Sequence, residues 1–331
     1  MKVLVTGATG FVAAGVIARL AVDARYHVRA AVRFDSARFP PEVETAVIGE
    51  LGPDTPWQHT LEGVDAVIHL GARVHVMRDS VTDPLAEFRR VNVAGTLSLA
   101  RAAAVAGVKR FVFLSSVKVH GEGCYVSTGQ RSSDWVSQFP YTETDTLAPR
   151  DAYGVSKLEA ETGLRRIASE TDMAVVIIRS PLVYGPGVKA NFLSMIRWLY
   201  KGVPLPMGAV HNKRSLVALA NLVDLIVVCL DHPAAANQIF LVSDNEDLST
   251  TELLNRMSVA LGVHARLFPV PVWFLKSGAA LIGRRAMAER LLGTLQVDSS
   301  KVREVLHWQP PVSVDEALRQ TAEDFLARRR N

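Results

Sequence analysis

Short apolar runs alternate with helix-period segments through the first half of the chain. Lys2–Thr6 is an apolar strand, and Gly10–Val22 places Val12, Val16, Ile17 and Leu20 at helical spacing. Val28–Val32 is a second strand, Glu44–Ile48 a weaker third and Val64–Leu70 a fourth, whose β-branched run suits burial on both faces. The pattern then predicts a long helix over Asp83–Ala106 with Gly107 as its stop. A fifth strand over Phe111–Ser115, a helix over Ala152–Glu170 and a sixth strand over Ala174–Arg179 follow. Such alternation with apolar strands predicts an α/β fold, a Rossmann-type doubly wound parallel sheet. Beyond about residue 180 prolines break the rhythm into shorter pieces. Residues 1–180 therefore read as the sheet domain, and 181–331 as a smaller lobe with some segments returning to the sheet.

Composition narrows the class. Of the 331 residues, 49% are hydrophobic and 21% charged, which excludes a disordered chain. The two cysteines, Cys124 and Cys229, make neither a disulfide framework nor a zinc site, so no metal is expected and a reducing cytoplasm fits. The net charge of +4 is too small to point to nucleic acid, and Arg328–Arg330 supply three of its units. Val3–Ala18 is uncharged, but Gly7, Gly10 and Gly15 interrupt it and no cleavage site follows, against a signal peptide. No uncharged run reaches the roughly 18–20 residues of a membrane span. Val270–Ile282 is apolar but holds Lys276, and reads as a packed helix.

V-L-V-T-G-A-T-G-F-V-A joins the first strand to the first helix. Gly7 permits a tight turn, Gly10 a close backbone approach, and Ala13 fills the third position, where a small residue lets helix and strand pack. The free N–H groups of such a turn and the helix dipole suit the pyrophosphate of a dinucleotide. Arg33 then ends the second strand, where an acid would hold the 2′-hydroxyl of NAD and an arginine the 2′-phosphate of NADP. Arg33 favours NADP, although Asp35 lies two residues on.

Tyr153 and Lys157 occur as Y-G-V-S-K, four apart and thus on one helical face. An ammonium near a phenol favours the phenolate, which can then exchange a proton with a hydroxyl or carbonyl. Ser115 and Ser116 end the fifth strand, at the sheet edge where open α/β sheets bind ligands.

Taken in order, T-G-A-T-G-F, V-D-A-V-I-H-L-G-A, V-N-V-A-G-T, F-V-F-L-S-S, Y-G-V-S-K and R-S-P-L-V-Y-G-P-G resemble the extended short-chain dehydrogenase/reductase family. The resemblance is to its NAD-dependent epimerase/dehydratase group, which acts on nucleotide sugars. It implies that Tyr153 is the general acid/base, that Lys157 lowers its pKa and holds the nicotinamide ribose, and that Ser116, rather than Ser115, is the reactive hydroxyl. Cofactor contacts are implied for Gly7, Thr9, Gly10, Phe11, Val12, Arg33, the Glu50–Leu51 pair, Leu70, Gly71, Ala72, Asn92 and Pro181. Substrate contacts are implied for Ser116, Lys118, Ser180, Asn191 and Arg214, the last with a fork suited to phosphate oxygens. A homodimer is a family expectation.

Within the group, Val117–Lys118 stands where 4,6-dehydratases resemble one another in carrying Asp-Glu, and Ser180–Pro181 where UDP-galactose 4-epimerases usually carry Asn-Pro. His120 replaces the usual Tyr of V-Y-G, and residues 121–142 form a long connection that could cap a sugar. K-V-H-G-E-G, V-K-A-N-F and N-K-R-S-L-V-A-L resemble bacterial enzymes that reduce the 4-keto group of UDP-4-keto-6-deoxy-N-acetylhexosamines for polysaccharide biosynthesis. The first expectation is therefore an NAD(P)-dependent 4-reductase, with a UDP-hexose or UDP-N-acetylhexosamine 4-epimerase as the alternative. A non-catalytic NADP(H)-sensing protein is a third reading, which the intact Tyr/Lys pair disfavours.

Overall fold

The computed structural model describes residues 1–331 except 36–38, 75–82, 122, 124–139, 282, 284 and 331. The first half runs β1 (Lys2–Thr6), α1 (Phe11–Ala21), β2 (His27–Val32), β3 (Glu44–Val47), β4 (Ala66–His69), α2 (Pro84–Phe88), α3 (Thr96–Val105), β5 (Arg110–Ser116), α4 (Ala152–Glu170) and β6 (Ala174–Ser180). The second half runs β7 (Leu182–Tyr184), α5 (Ala190–Tyr200), β8 (Leu216–Ala218), α6 (Leu219–Asp231), β9 (Ile239–Leu241), α7 (Thr250–Ala260), α8 (Val272–Leu281), α9 (Arg285–Leu292), α10 (Ser300–Leu306) and α11 (Val314–Arg330).

Seven parallel strands form one sheet in the order β3-β2-β1-β4-β5-β6-β9. Leu4 of β1 lies opposite Arg29 on one side and Val67 on the other, so the chain reverses its direction of winding between β1 and β4. Helices α1, α6 and α10 cover one face, where Val16, Ile17 and Leu20 meet Leu222, Leu225 and Ile226. Helices α3 and α4 cover the other, with Leu99, Ala103, Leu164 and Ile167 against Phe111 and Phe113. Truncating one of these, such as the fully buried Leu164, to alanine costs about 2–5 kcal/mol. Cys229 lies within α6, wholly buried, with its thiol pushed up to about 12 by that burial. Helices α5, α7 and α11 build a separate core around Tyr184, Ile196, Met257 and Leu318. The strand β9, from beyond residue 181, completes the main sheet.

Two expectations change. The helix expected over Asp83–Ala106 is α-helical only at its ends, and Arg89–Gly95 between α2 and α3 is a π-helical stretch. It turns Asn92 inward, where its amide donates to Ser156 Oγ (3.0 Å) and to the Arg73 carbonyl (3.0 Å). Apolar periodicity does not register such an insertion. The expected packed helix over Val270–Ile282 is also corrected. Helix α8 forms, yet none of its residues is buried, because only one stripe of it meets α9.

Candidate active site

Gly7 turns the chain out of β1 with φ +65°. A Cβ here would stand 2.7 Å from the Gly71 nitrogen and 2.8 Å from the Leu70 carbonyl carbon. The turns after β1 and β4 therefore meet backbone to backbone, which only glycine allows. Leu51 closes over the same spot, its Cδ2 lying 3.2 Å from where a Gly71 Cβ would be. The Gly10 N–H donates to the Gly7 carbonyl at 2.8 Å, and Gly10 caps α1 without a side chain. The N-cap, Gly10, gives the first turn of α1 no side-chain hydrogen bond, and the helix dipole adds positive potential there. Thr9 and Gly10 are exposed there, and Phe11 and Val12 half-buried. This cradle fits a pyrophosphate, with Gly7, Thr9, Gly10, Phe11, Val12, Leu51, Leu70, Gly71 and Ala72 at one edge of the sheet.

The cradle is tied from below by His69. Its Nδ1 shares a hydrogen bond with Thr6 Oγ1 (2.6 Å) and its Nε2 with Thr96 Oγ1 (2.9 Å), bridging β1 to α3. Complete burial drives its pKa down to about 3, so the ring is neutral. Farther along the edge, Arg33 and Glu50 form an exposed ion pair of 3.3 Å. The arginine read as a 2′-phosphate ligand thus shares its guanidinium with a carboxylate.

The chemical half of the site lies at the end of β5. Ser115 and Ser116 point to opposite uses. Ser115 is buried and donates to Glu161 Oε1 at 2.5 Å. Ser116 is half-buried, and its Oγ accepts from the Lys118 N–H at 3.3 Å, capping the turn at Val117–Val119. Helix α4 packs its first turn directly on that turn. A Cβ on Gly154 would lie 2.8 Å from the Lys118 carbonyl oxygen, so glycine sets how near Tyr153 comes to Ser116. Asp151 caps α4 through Oδ1 on the Gly154 N–H (2.7 Å), while its Oδ2 pairs with Lys118 Nζ. Tyr153 is half-buried, with Phe88 edge-on at 6.3 Å and the Lys118 ammonium 6.0 Å from its ring centre.

Lys157 is buried, and its ammonium stands 4.1 Å from the centroid of Phe113. Burial lowers its pKa to about 7, against the opposing pull of Glu161 one turn on. Burial also raises the Tyr153 phenol well above its ordinary value, and the Asp151 carboxylate adds to the rise. Desolvation thus disfavours the charged forms of both Lys157 and Tyr153 in the protein by itself.

Beneath this edge runs a buried polar chain. Arg179, on β6, donates to Glu161 from Nη2 (2.7 Å) and Nε (3.2 Å), and from Nη1 to His120 Nε2 (3.0 Å). Both members of the ion pair are 2% exposed. His120 stacks on Tyr141 at 4.9 Å, and burial with Arg179 beside it lowers its pKa to about 4. Since guanidinium only donates, Nε2 accepts and the proton sits on Nδ1.

The proposed substrate contacts divide. Ser180 and Pro181, at the end of β6, are buried, and Ser180 Oγ reaches only the Ser115 carbonyl at 3.5 Å. Lys118 is bound to Asp151 and so also positions α4. Asn191 is exposed at the start of α5. Arg214 is half-buried beyond β7, with Nη1 on the Gly293 carbonyl at 3.1 Å. Most of the 121–142 connection, with Cys124, lies outside the described residues.

Glu161, Arg179, Asp151 and His69 were not singled out by sequence reasoning. Asp151 carried a signal, an acid at the N-cap position of the predicted helix. His69 and Arg179 sit inside otherwise apolar strands and Glu161 inside a polar helix, where only tertiary contact reveals a pairing.

Comparison with known proteins agrees with the fold and places the chain in a family. The family model described as NAD dependent epimerase/dehydratase family matches residues 3–243. A Vibrio cholerae protein named UDP-glucose 4-epimerase is 45% identical, covering 98% of this chain and 95% of its own. The N-acetyl-alpha-D-glucosaminyl-diphospho-ditrans,octacis-undecaprenol 4-epimerase of Escherichia coli O157:H7 is 25% identical over 91% of this chain and 88% of its own. Among solved structures, the UDP-glucuronic acid 4-epimerase of Bacillus cereus in complex with NAD superposes with a TM-score of 0.77 at 20% identity, covering 98% of this chain and 96% of that one. That likeness establishes the fold.

Proposed function

This chain belongs to the NAD dependent epimerase/dehydratase family, and from that premise we propose that it is a UDP-hexose or UDP-N-acetylhexosamine 4-epimerase using NAD. The observation that carries the proposal is that α4, with Tyr153 and Lys157 in its first turns, packs on the turn that follows Ser116 at the end of β5, in a chain 45% identical to a protein named UDP-glucose 4-epimerase. Both other relatives described above are also named as 4-epimerases.

When bound, the nicotinamide supplies a reversible hydride acceptor. Tyr153 takes the proton of the sugar O4 hydroxyl as the C4 hydride leaves, and Ser116 hydrogen-bonds the same oxygen. Lys157, on the same face of α4, would stabilise the phenolate that accepts the proton. Once the 4-keto sugar has turned over in the site, Tyr153 would give the proton back to O4. Atoms and electrons balance, with inversion at C4 as the only net change. Arg214 supports the diphosphate in this reading, and Asn92 holds α4 through Ser156.

The 4-keto reductase reading stands second, favoured by Arg33. The Arg33–Glu50 pair weakens it, because the carboxylate both occupies the guanidinium and repels a 2′-phosphate. The test is to incubate the protein with NAD and UDP-glucose or UDP-N-acetylglucosamine, and separately with NADPH and a UDP-4-keto-6-deoxy-N-acetylhexosamine. Epimers at C4 in the first pair with untouched NADPH in the second support the proposal. The converse supports the reductase.

A further inference from the structure

Helix α8 buries none of its ten residues. Val272, Leu275 and Ala279, spaced i, i+3 and i+7, turn toward Val210, Ala288 and Leu292. The outward face carries Trp273 (68% exposed), Phe274 (59%) and Leu281 (89%), and Phe268 (45%) stands exposed on the lead-in loop. The Trp273 and Phe274 rings meet edge to face with centroids 5.6 Å apart. Isolated exposed apolar residues are ordinary, but large side chains gathered on one helix face mark an interaction site.

Charge says what the face meets. Residues 264–292 hold five cations, Arg266, Lys276, Arg284, Arg285 and Arg290, against the single carboxylate Glu289. This stretch alone carries a charge equal to the +4 of the whole chain. Lys276 is exposed on α8 itself, among the apolar residues. An aromatic-rich helix face set in a basic stretch is complementary to an anionic phospholipid surface, with the rings at acyl-chain level and Lys276 reaching back to the phosphates. Ten residues span about 15 Å, half of a bilayer core, so such a helix lies in the plane of the surface. Among the described residues no helix is long and apolar enough to cross a membrane.

The face is coupled to the candidate site. Helix α9 packs on α8 and ends where Leu291 O accepts from Thr250 Oγ1 (2.7 Å) and Gly293 O accepts from Arg214 Nη1 (3.1 Å). We propose that α8 docks this protein peripherally on anionic phospholipid, its outward face lying in the headgroup layer and the Arg214 end of the substrate lobe held near the surface. The proposal goes beyond the catalytic reading and does not depend on it.

The test uses the full chain and extruded vesicles, either phosphatidylcholine alone or mixed equally with phosphatidylglycerol. The protein should sediment with the mixed vesicles and not with phosphatidylcholine. Trp273→Ser with Phe274→Ser should weaken partitioning at least about tenfold, as expected when buried apolar area is lost at an interface. Lys276→Glu or high salt should weaken it several-fold. The circular dichroism spectrum and melting temperature of the double variant should match those of the parent, which shows that it is folded. Failure of the parent to sediment, equal sedimentation of the double variant, or equal binding to phosphatidylcholine overturns the proposal. So does light scattering in which the double variant drops from dimer to monomer, since a second copy would then be the occupant.

Discussion

The Lys157 ammonium stands over the face of the Phe113 ring, 4.1 Å from its centroid, in a site 3% exposed to solvent. A cation held this way is stabilised by the ring but has lost most of its hydration, and its pKa falls to about 7. The unfolded lysine keeps its ordinary value near 10.4. Between these values the unfolded chain binds the extra proton, so stability rises with pH across this window and the burial penalty is fullest below pH 7. Lys157→Met should therefore raise the melting temperature most near pH 6, with a gain that shrinks as pH climbs toward 10, while turnover falls. Thermal melts at several pH values check this, and a gain that grows with pH contradicts it.

Tyr153 and Ser116 have separable roles. Tyr153→Phe removes the only proton carrier assigned to O4 and should cut turnover by about 10³-fold or more, leaving cofactor binding intact. Ser116→Ala removes one hydrogen bond and should cost about 10–10²-fold in kcat with little change in KM, since the bond strengthens as charge develops on O4. Steady-state kinetics with a cofactor titration measure both. Ser115→Ala should act instead through stability, because its hydroxyl is spent on Glu161 at 2.5 Å.

The Glu161–Arg179 pair is buried on both sides. Glu161→Gln leaves the guanidinium uncompensated and should cost about 3–5 kcal/mol, with the larger loss at the β5–β6 edge. Replacing both partners with apolar residues of similar volume should cost less than the single change. Denaturant unfolding of Glu161→Gln and of the double replacement measures this, and a double replacement that costs more than the single change would contradict it.

In the proposed cofactor site the exposed Arg33–Glu50 pair would set the choice between NAD and NADP. The parent should bind NAD more tightly than NADP. Glu50→Gln frees the guanidinium and should shift the ratio toward NADP by about two- to fivefold, the scale of an exposed ion pair. Calorimetric titration of both cofactors decides it.

The strands and the α4 helix were legible because burial of a parallel sheet writes near-continuous apolar runs, and Ala152–Glu170 was bounded by its own cap. The glycine turn was legible because Gly7 answers a backbone demand that no other residue meets. The π-helical stretch was not, since Asn92 turns inward for partners distant in sequence. The depth of burial at Lys157 and Tyr153 was equally hidden: spacing shows that two groups share a helix face, but not how much water reaches them. Helix α8 misled because an apolar segment looks the same whether protein or another surface covers it.

The central claim is that a hydride leaves C4 and returns to it within one site. A UDP-hexose carrying deuterium at C4, incubated in ordinary water with the protein and NAD, tests it directly. The expected product is the C4 epimer with deuterium retained at C4 and no accumulation of free reduced cofactor. Loss of the label to solvent, or product formed only with stoichiometric consumption of nicotinamide, would contradict it.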